Sequence, residues 1–243
     1  MAPILEQHIH ILSSHTDMNN RLRSSVMARI LQDAAIVHAE ELGVGRNVGL
    51  EKQALWVITR MAVEVERLPL WGETICLRTW PGETRHGLFP RYFEMTTDGG
   101  EPLLKASTIW LLMHAQDRRM LDPRAIGMEL SGQNREGQLA IPARRIPFPA
   151  ELTDECRRTV RYSETDVNGH MNNTRYLDWA DDLLPLEFHR QHTLKKLWVE
   201  FRSEILCGRE AVLKSDLSDN VLCLTGTAAD KEAFKVRAEY DSL

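Results

Sequence analysis

The two halves of the chain repeat the same order of secondary-structure elements, and this repeat constrains the fold more than any other feature. In the first half, apolar residues recur at helical spacing over residues 22–42, and strand-like segments follow, with a hairpin signal (Asp-Gly-Gly) at 98–100. The second half has a strand-like segment, a helical pattern over 172–185 and four more strand-like segments. The pattern therefore predicts an α+β fold built from two similar units.

Short matches in the sequence support duplication. Residues 16–19 (Thr-Asp-Met-Asn) correspond to 165–168 (Thr-Asp-Val-Asn), and 63–65 (Val-Glu-Val) correspond to 199–201 (Val-Glu-Phe). A sheet that wraps one long helix buries only one side of it, so a second copy is expected to cover the open face.

The repeat also predicts where the two units begin and end. We predict units at 1–148 and 149–243, with a Pro- and Gly-containing connector from about residue 122 at the end of the first unit.

Composition excludes several classes of function. The chain has 243 residues and a formal net charge of -5, which does not indicate a nucleic-acid partner. Its four cysteines are far apart and form no C-x-x-C motif, so we expect reduced thiols and no zinc ribbon. No apolar run has membrane-spanning length, and residues 1–15 do not have the layout of a signal peptide. We therefore expect a cytoplasmic protein that uses no metal or other cofactor.

Polar residues are concentrated just before the second helical pattern. Asp166, Asn168 and His170 are spaced two apart, and alternate residues of an extended segment share one face. Beside a helix N-terminus, such a face can hold a water or a developing oxyanion. Asp and Asn are also ordinary turn and cap residues, so a purely structural role is the alternative.

Differences between the halves favour a catalytic role for the second. When residues 16–19 are aligned with 165–168, His170 falls opposite Arg21. When Gly72 is aligned with Gly208, Glu204 falls opposite Leu68. The second half alone therefore carries a histidine and a strand-end glutamate. A carboxylate or neutral imidazole can take a proton from water, and an amide can position a carbonyl, so these residue types suit hydrolysis.

Longer segments resemble a known family, the acyl-acyl carrier protein thioesterases of plants and bacteria. The segments "LWVITRMAVEVERLPLWGETICLRTWP" and "ASTIWLLMHAQDRRML" resemble the family's first half, and "TDVNGHMNNTRYLDW" resembles its active-site motif. The resemblance implies a tandem double hotdog, in which each half is an antiparallel sheet wrapped around a long central helix. It also implies hydrolysis of a fatty acyl thioester in the second hotdog, with the first helping to form the acyl pocket.

Carried over residue by residue, the resemblance implies a site in the second half. The catalytic set falls on Asp166, Asn168, His170 and Glu204. The helix start at Asn172 and Asn173 is expected to supply N–H groups that hold the oxyanion. Plant members have Cys directly after the glutamate, whereas this chain has Ile205, so we expect a water activated by Glu204 and His170 and not a cysteine nucleophile. Asp166 is expected to orient Asn168, with direct attack by Asp166 as the alternative.

The implied partner is acyl carrier protein with a phosphopantetheine-linked acyl chain. Five arginines make the connector and the next strand locally basic, which indicates either a solvated face or a docking patch for an acidic partner: Arg144, Arg145, Arg157, Arg158 and Arg161. The alternatives are an acyl-coenzyme A thioesterase, a non-catalytic acyl-binding module and a hotdog dehydratase. Whether two chains form a homodimer also stays open.

Overall fold

The structure, a computed structural model, describes residues 3–142 and 145–243. Among these residues, ten strands form one continuous antiparallel sheet in the order β1-β3-β4-β5-β2-β7-β10-β9-β8-β6. The strands are β1 (Leu5–His10), β2 (Ala54–Val65), β3 (Thr74–Pro81), β4 (Phe89–Thr97), β5 (Pro102–His114), β6 (Asp154–Thr159), β7 (His192–Phe201), β8 (Glu210–Ser218), β9 (Val221–Ala228) and β10 (Lys231–Ser242). The hairpin predicted at 98–100 joins β4 to β5 and is confirmed.

The helices lie between the strands in the same relative places in both halves. They are α1 (Ser24–Glu41), α2 (Arg46–Glu51), α3 (Pro123–Ile126), α4 (Arg175–Asp181) and α5 (Leu186–Gln191), with short 3₁₀ helices at Ser13–His15 and Tyr162–Glu164. α3 falls in the predicted connector, whose described remainder is irregular. No helix of the described chain is both long and apolar enough to cross a membrane.

The sheet has a pseudo-twofold axis where the two halves meet. β2 and β7 pair antiparallel, and Ala62 lies opposite Trp198. The two are counterparts, because the chain distance from Ala62 to Gly72 equals that from Trp198 to Gly208. The strand order reads as five strands followed by their five counterparts in reverse, which is the arrangement that a duplicated unit produces around a twofold axis.

Helix α1 is the central helix of the first half. Its buried face includes Leu31, Ala34, Ala35 and His38. The helical spacing predicted that the buried face would continue through Val37. That prediction was wrong, because Val37 is 41% exposed. The buried face follows a spacing of three and four residues from Leu31, and that spacing passes through His38 instead.

The second half has a short helix where a long one was expected. α4 spans only seven residues. Pro185 ends the predicted pattern, and a proline disfavours helical backbone at the residue before it. The chain therefore turns at Leu184, whose side chain is buried, and begins the separate helix α5 after Pro185.

Strand β1 was not predicted from the sequence. Its residues alternate between partly buried and exposed, as expected for an edge strand with one face on the core. β1 is the counterpart of β6 at the opposite edge of the sheet.

An aromatic cluster packs α4 onto the second half of the sheet. The rings of Tyr176 and Phe234 are stacked with centroids 4.2 Å apart. Gly226 lies directly beneath Phe234, so that a Cβ there would stand 2.0 Å from the Phe234 Cε1 atom. The glycine is therefore required by the packing of the ring and not by its backbone conformation.

We expect Gly226→Ala to lower the free energy of unfolding by about 1–3 kcal/mol, because the added methyl displaces Phe234 in a packed core. Chemical denaturation measures this change. Gly99→Ala is the matched control, since a Cβ there meets only Thr97 Oγ1 at 3.6 Å in an exposed turn. Equal stabilities for Gly226→Ala and the wild type would contradict this account of the core.

Candidate active site

The two halves build equivalent loops, and the structure confirms the alignment made from sequence. Arg21 forms an isolated β-bridge with Leu70, and His170 forms the matching bridge with Leu206. The Asp17 N–H donates to the Arg21 carbonyl at 2.8 Å, and the Asp166 N–H donates to the His170 carbonyl at 2.9 Å. His170 thus occupies the position of Arg21.

The segment 166–170 is a tight loop and not the extended strand that its alternate spacing suggested. The Gly169 N–H donates to the Asp166 carbonyl at 3.1 Å, and Gly169 has a φ of 75°. This conformation favours glycine, because it is strained for residues with a Cβ. The loop brings the ends of the segment together, so Asp166 and His170 are neighbours by turn geometry.

Asp166 fixes the position of Asn168. Its Oδ1 accepts the Asn168 N–H at 2.8 Å, and its Oδ2 accepts the Asn168 Nδ2 at 3.4 Å. The amide Oδ1 of Asn168 is thereby directed away from the carboxylate. The orienting role of Asp166 stays a prediction, and these two contacts are the geometry it requires.

Glu204 comes from the segment after β7 and meets His170. The Glu204 Oε2 lies 3.2 Å from the His170 Nε2. The His170 side chain is 18% exposed and that of Glu204 is 47% exposed, so the pair faces solvent on one side. The bridge between His170 and Leu206 holds the two segments in register and places the two side chains together.

Arg118 belongs to the site, although it was not predicted from the sequence as a site residue. It lies in the turn after β5 of the first half, and its Nη2 is 2.8 Å and 3.0 Å from the two carboxylate oxygens of Glu204. Its backbone φ of 57° belongs to the left-handed region, so the turn directs the side chain at some conformational cost. Glu204 is therefore held from both halves at once, by His170 and by Arg118.

The predicted helix start was wrong by three residues. α4 begins at Arg175 with Thr174 at its N-cap. The Asn172 N–H donates to the Glu164 carbonyl at 2.9 Å, and the Asn172 Oδ1 accepts from the Thr174 N–H and hydroxyl. Asn172 thus shapes the turn before the helix, and its N–H is not free for a substrate.

Asn173 differs from its neighbour in this respect. Within the described chain, its N–H donates no hydrogen bond to protein. It remains a candidate oxyanion donor.

A buried tyrosine forms the floor beside these polar groups. Tyr176 is 2% exposed on α4. Burial raises the pKa of its phenol well above the usual range, and the Glu204 and Asp166 carboxylates raise it further because they oppose a third negative charge. The phenol therefore stays neutral beside the Glu204 and Asp166 carboxylates.

The equivalent place in the first half is closed. Arg21 Nη1 donates to the His192 carbonyl at 2.8 Å, and Asn19 Nδ2 donates to the His189 carbonyl at 3.0 Å. These contacts hold α5 against the first-half loop, and a pocket of about 250 Å³ lies between them, lined by Asp17, Arg21 and His189 among others.

The length of the central helices explains why only one site is covered. α2 is the counterpart of α5, but it follows a helix that is eleven residues longer (18 against 7), or about 16 Å at 1.5 Å per residue. Among the described residues, no hydrogen bond links α2 to the 166–170 loop. The second-half site keeps its access to solvent.

A groove of about 800 Å³ opens near Arg118 in the first half. Met120 and Leu121, two and three residues after Arg118, line it together with Phe89 and Leu130. Phe89 and Leu121 also belong to a small apolar cluster of the first half that is separate from the main core. Arg118, His170 and Glu204 do not themselves line this groove, and its nearest lining residue along the chain is Met120, two residues after Arg118.

The predicted arginine patch is divided between two faces. Arg157 and Arg158 are neighbours on β6 and point to opposite sides of the sheet. Arg157 pairs with Glu210 at 2.7 Å, and Arg158 pairs with Asp182 at 2.7 Å. Arg145 and Arg161 are exposed, and Arg144 lies outside the described residues. The two strand arginines do not form a single patch.

Comparisons with known proteins cover almost the whole chain. The model of the acyl-ACP thioesterase N-terminal domain matches residues 4–124, and that of the acyl-ACP thioesterase C-terminal domain matches 150–239. A chloroplastic palmitoyl-acyl carrier protein thioesterase from Gossypium hirsutum is 29% identical over 225 residues, or 87% of this chain and 54% of the relative. A chloroplastic acyl-[acyl-carrier-protein] hydrolase, FATB1, from Cuphea viscosissima is 31% identical over 198 residues, or 76% and 47%. The chain spans about half the length of the curated relatives it matches.

Solved structures confirm the fold. An acyl-ACP thioesterase from Bacteroides thetaiotaomicron has a TM-score of 0.87 at 22% identity, with 98% of each chain covered. A 12:0-ACP thioesterase from Umbellularia californica has a TM-score of 0.84 at 20% identity, with 99% of this chain and 98% of that chain covered. The tandem double hotdog is therefore confirmed, with a short central helix in its second half.

The contact between the two central helices generates a prediction about pH. Asp181 of α4 accepts a hydrogen bond from the Ser24 hydroxyl of α1, and burial raises the pKa of its carboxyl to about 6 from an ordinary 3.8. The folded state therefore holds a proton that the unfolded state has lost, so the free energy of unfolding falls as pH rises from about 4 to above 6. We expect Asp181→Asn to remove this part of the fall, as measured by denaturation at several pH values. The exposed neighbour substitution Asp182→Asn is the control; parallel stability profiles for Asp181→Asn and the wild type would contradict the assignment.

Proposed function

Because the chain belongs to the acyl-ACP thioesterase family, we propose that it hydrolyses the thioester between a fatty acyl chain and acyl carrier protein. The products are a free fatty acid and the carrier with its free thiol. The curated relatives are named for this reaction. The observation that carries the proposal is the pairing of His170 with Glu204 at 3.2 Å. Both residues replace different residues of the first half, whereas the Asp166–Asn168 pair has its counterpart in Asp17 and Asn19.

The carboxylate of Glu204 is the proposed general base. It takes a proton from a water whose oxygen attacks the carbonyl carbon of the thioester. The carbon–sulfur bond then breaks, and the sulfur of the phosphopantetheine leaves with the proton returned by Glu204. His170 keeps the carboxylate in place through its Nε2 contact, so that the free lone pairs face the water.

Two groups are proposed to bind the carbonyl as it becomes an oxyanion. Asn168, held by Asp166, presents an amide that can donate to the carbonyl oxygen or position the water. The second is the N–H of Asn173, five residues further along the chain, which donates no hydrogen bond within the described part of the protein. Asp166 is bound to Asn168 through both oxygens, which favours an orienting role over direct attack.

Arg118 is proposed to position Glu204 from the first half. A guanidinium that binds both oxygens of a carboxylate fixes its plane as well as its distance. The catalytic carboxylate is thus held by groups from both hotdogs, and one chain contains the complete set. Association of two chains, which the sequence leaves open, is not needed to complete the site.

The acyl chain is proposed to lie in the groove beside Met120 and Leu121. The groove lies within a few residues of Arg118, and consecutive Cα atoms are about 3.8 Å apart, so its near end is close to Glu204. Its lining includes the apolar Phe89 and Leu130, and also charged side chains such as Arg85 and Glu129. This arrangement agrees with the expectation that the first hotdog helps to form the acyl pocket.

We expect Glu204→Gln and His170→Ala each to reduce kcat on an acyl-acyl carrier protein substrate by about 100-fold or more, because the first removes the general base and the second removes the contact that holds it in place. Glu210→Gln is the matched control: it removes another exposed glutamate that is paired with an arginine, but outside the site. Thioester cleavage is measured with acyl carrier protein and coenzyme A bearing the same acyl chain. Activity near that of the wild type in both site variants would refute the assignment, and activity on coenzyme A alone would refute the carrier.

We expect Arg118→Ala to lower kcat about tenfold with little change in KM, because Glu204 loses its orientation but the substrate keeps its groove. Arg118→Lys should recover part of kcat, since it retains the charge and a donor. Arg119→Ala is the matched control, because Arg119 contacts Asp117 and not Glu204. Equal effects of Arg118→Ala and Arg119→Ala on kcat would show that Arg118 has no specific role.

A further inference from the structure

Three side chains of different chemistry meet on the outer face of the β1 edge, far in sequence from the proposed active site. A carboxylate oxygen of Glu6, a ring nitrogen of His8 and the Sγ of Cys76 all lie within 4.8 Å of one another. The register of β1 and β3 produces this contact, because His8 lies opposite Cys76 and Glu6 lies opposite Arg78. Residues opposite each other on neighbouring strands share a face of the sheet.

Asp98 contacts His8, and Arg78 contacts Glu6. Each contact uses one atom of the cluster side chain and leaves the other possible ligand atom directed into the cluster. Asp98 Oδ1 lies 2.8 Å from His8 Nδ1, whereas His8 Nε2 faces Glu6 Oε1 at 3.7 Å. Arg78 Nε donates to Glu6 Oε2 at 2.6 Å and leaves Oε1 on the side of the histidine. A carboxylate that binds the far nitrogen of a histidine, so as to orient the near nitrogen, is the usual outer shell of a protein metal site.

The opposite edge of the sheet is an internal comparison, because β6 and β8 are the counterparts of β1 and β3. There Glu155 lies opposite Lys214, as Glu6 lies opposite Arg78, and each carboxylate contacts its cation. The counterparts of His8 and Cys76 are Arg157 and Val212, which also lie opposite each other.

The turn beside the cluster differs in the same way. Thr96 of β4 lies opposite Cys76, and Thr227 of β9 lies opposite Val212, so Asp98 corresponds to Ala229. The first edge thus differs from its duplicate at the histidine, the thiol and the supporting carboxylate together. An ordinary edge ion pair, as on β6, needs none of the three.

We propose that Glu6, His8 and Cys76 bind a zinc ion at the β1 edge, with Asp98 orienting His8. A thiolate, an imidazole and a carboxylate are the ligand types that zinc takes in proteins, and a water would complete a tetrahedral set. The Cys76 thiol gives up its proton to solvent when the sulfur–zinc bond forms. The ion would fasten the edge strand β1 to β3 and to the turn after β4.

The test uses cobalt as a spectroscopic substitute for zinc in the purified protein. We expect one equivalent of Co²⁺ to bind with a sulfur-to-cobalt charge-transfer absorption, zinc to displace it, and zinc to raise the Tm. Cys76→Ser should abolish the absorption, His8→Gln should weaken binding at least tenfold, and Asp98→Asn should weaken it about 10–100-fold. His8 and Asp98 are exposed, so their variants test the site even if Cys76→Ser is poorly folded.

Two controls lie on the same molecule. His10→Gln changes the next outward histidine of β1, and Cys207→Ser removes an exposed thiol elsewhere, so both should leave cobalt binding unchanged. Absence of saturable cobalt binding would overturn the proposal. So would an absorption that disappears in Cys207→Ser but persists in Cys76→Ser, or equal affinities for His8→Gln and His10→Gln.

Discussion

The pairing of β2 with β7 is the interaction on which the rest of the structure depends. It joins two five-stranded units into one sheet and sets a pseudo-twofold axis between Ala62 and Trp198. Because the central helices lie against the same sheet, α1 and α4 meet across this axis through Ser24 and Asp181. The turn after β5 of one half is then held beside the loop of the other, so a residue of the first half can support a carboxylate of the second.

Duplication makes the division of labour between the halves visible residue by residue. The loop around Asp17 and the loop around Asp166 share their backbone hydrogen bonds, so the scaffold is common to both. Within this loop, the difference that matters is the side chain at the position of Arg21 and His170. Arg21 donates to backbone carbonyls of His189 and His192, at the end of α5 in the second half, whereas the shorter His170 turns to Glu204. One scaffold thus serves as a packed interface in one half and as an open site in the other.

The sequence predicted the elements that depend on local patterns and missed those that depend on distant contacts. Duplication, most strands, and the placement of His170 and Glu204 in one half followed from periodicity and alignment. Asn168-Gly169 is a turn signal, and the turn that it favours overrides the extended conformation suggested by the alternate spacing. The contact between Arg118 and Glu204 spans 86 residues and is decided by strand order, which no local pattern encodes. The start of α4 was misplaced because Asn172 caps a turn before the helix.

The unlike pair on the pseudo-twofold axis has a consequence for assembly of the chain during folding. A first half that paired with the first half of another molecule would place Ala62 against Ala62 and leave a gap at the centre of the sheet. Two second halves would place the partly buried Trp198 against a second Trp198. A buried small residue opposite a large one thus rewards the pairing of unlike halves. Pairing between like halves of different chains is thereby disfavoured during folding.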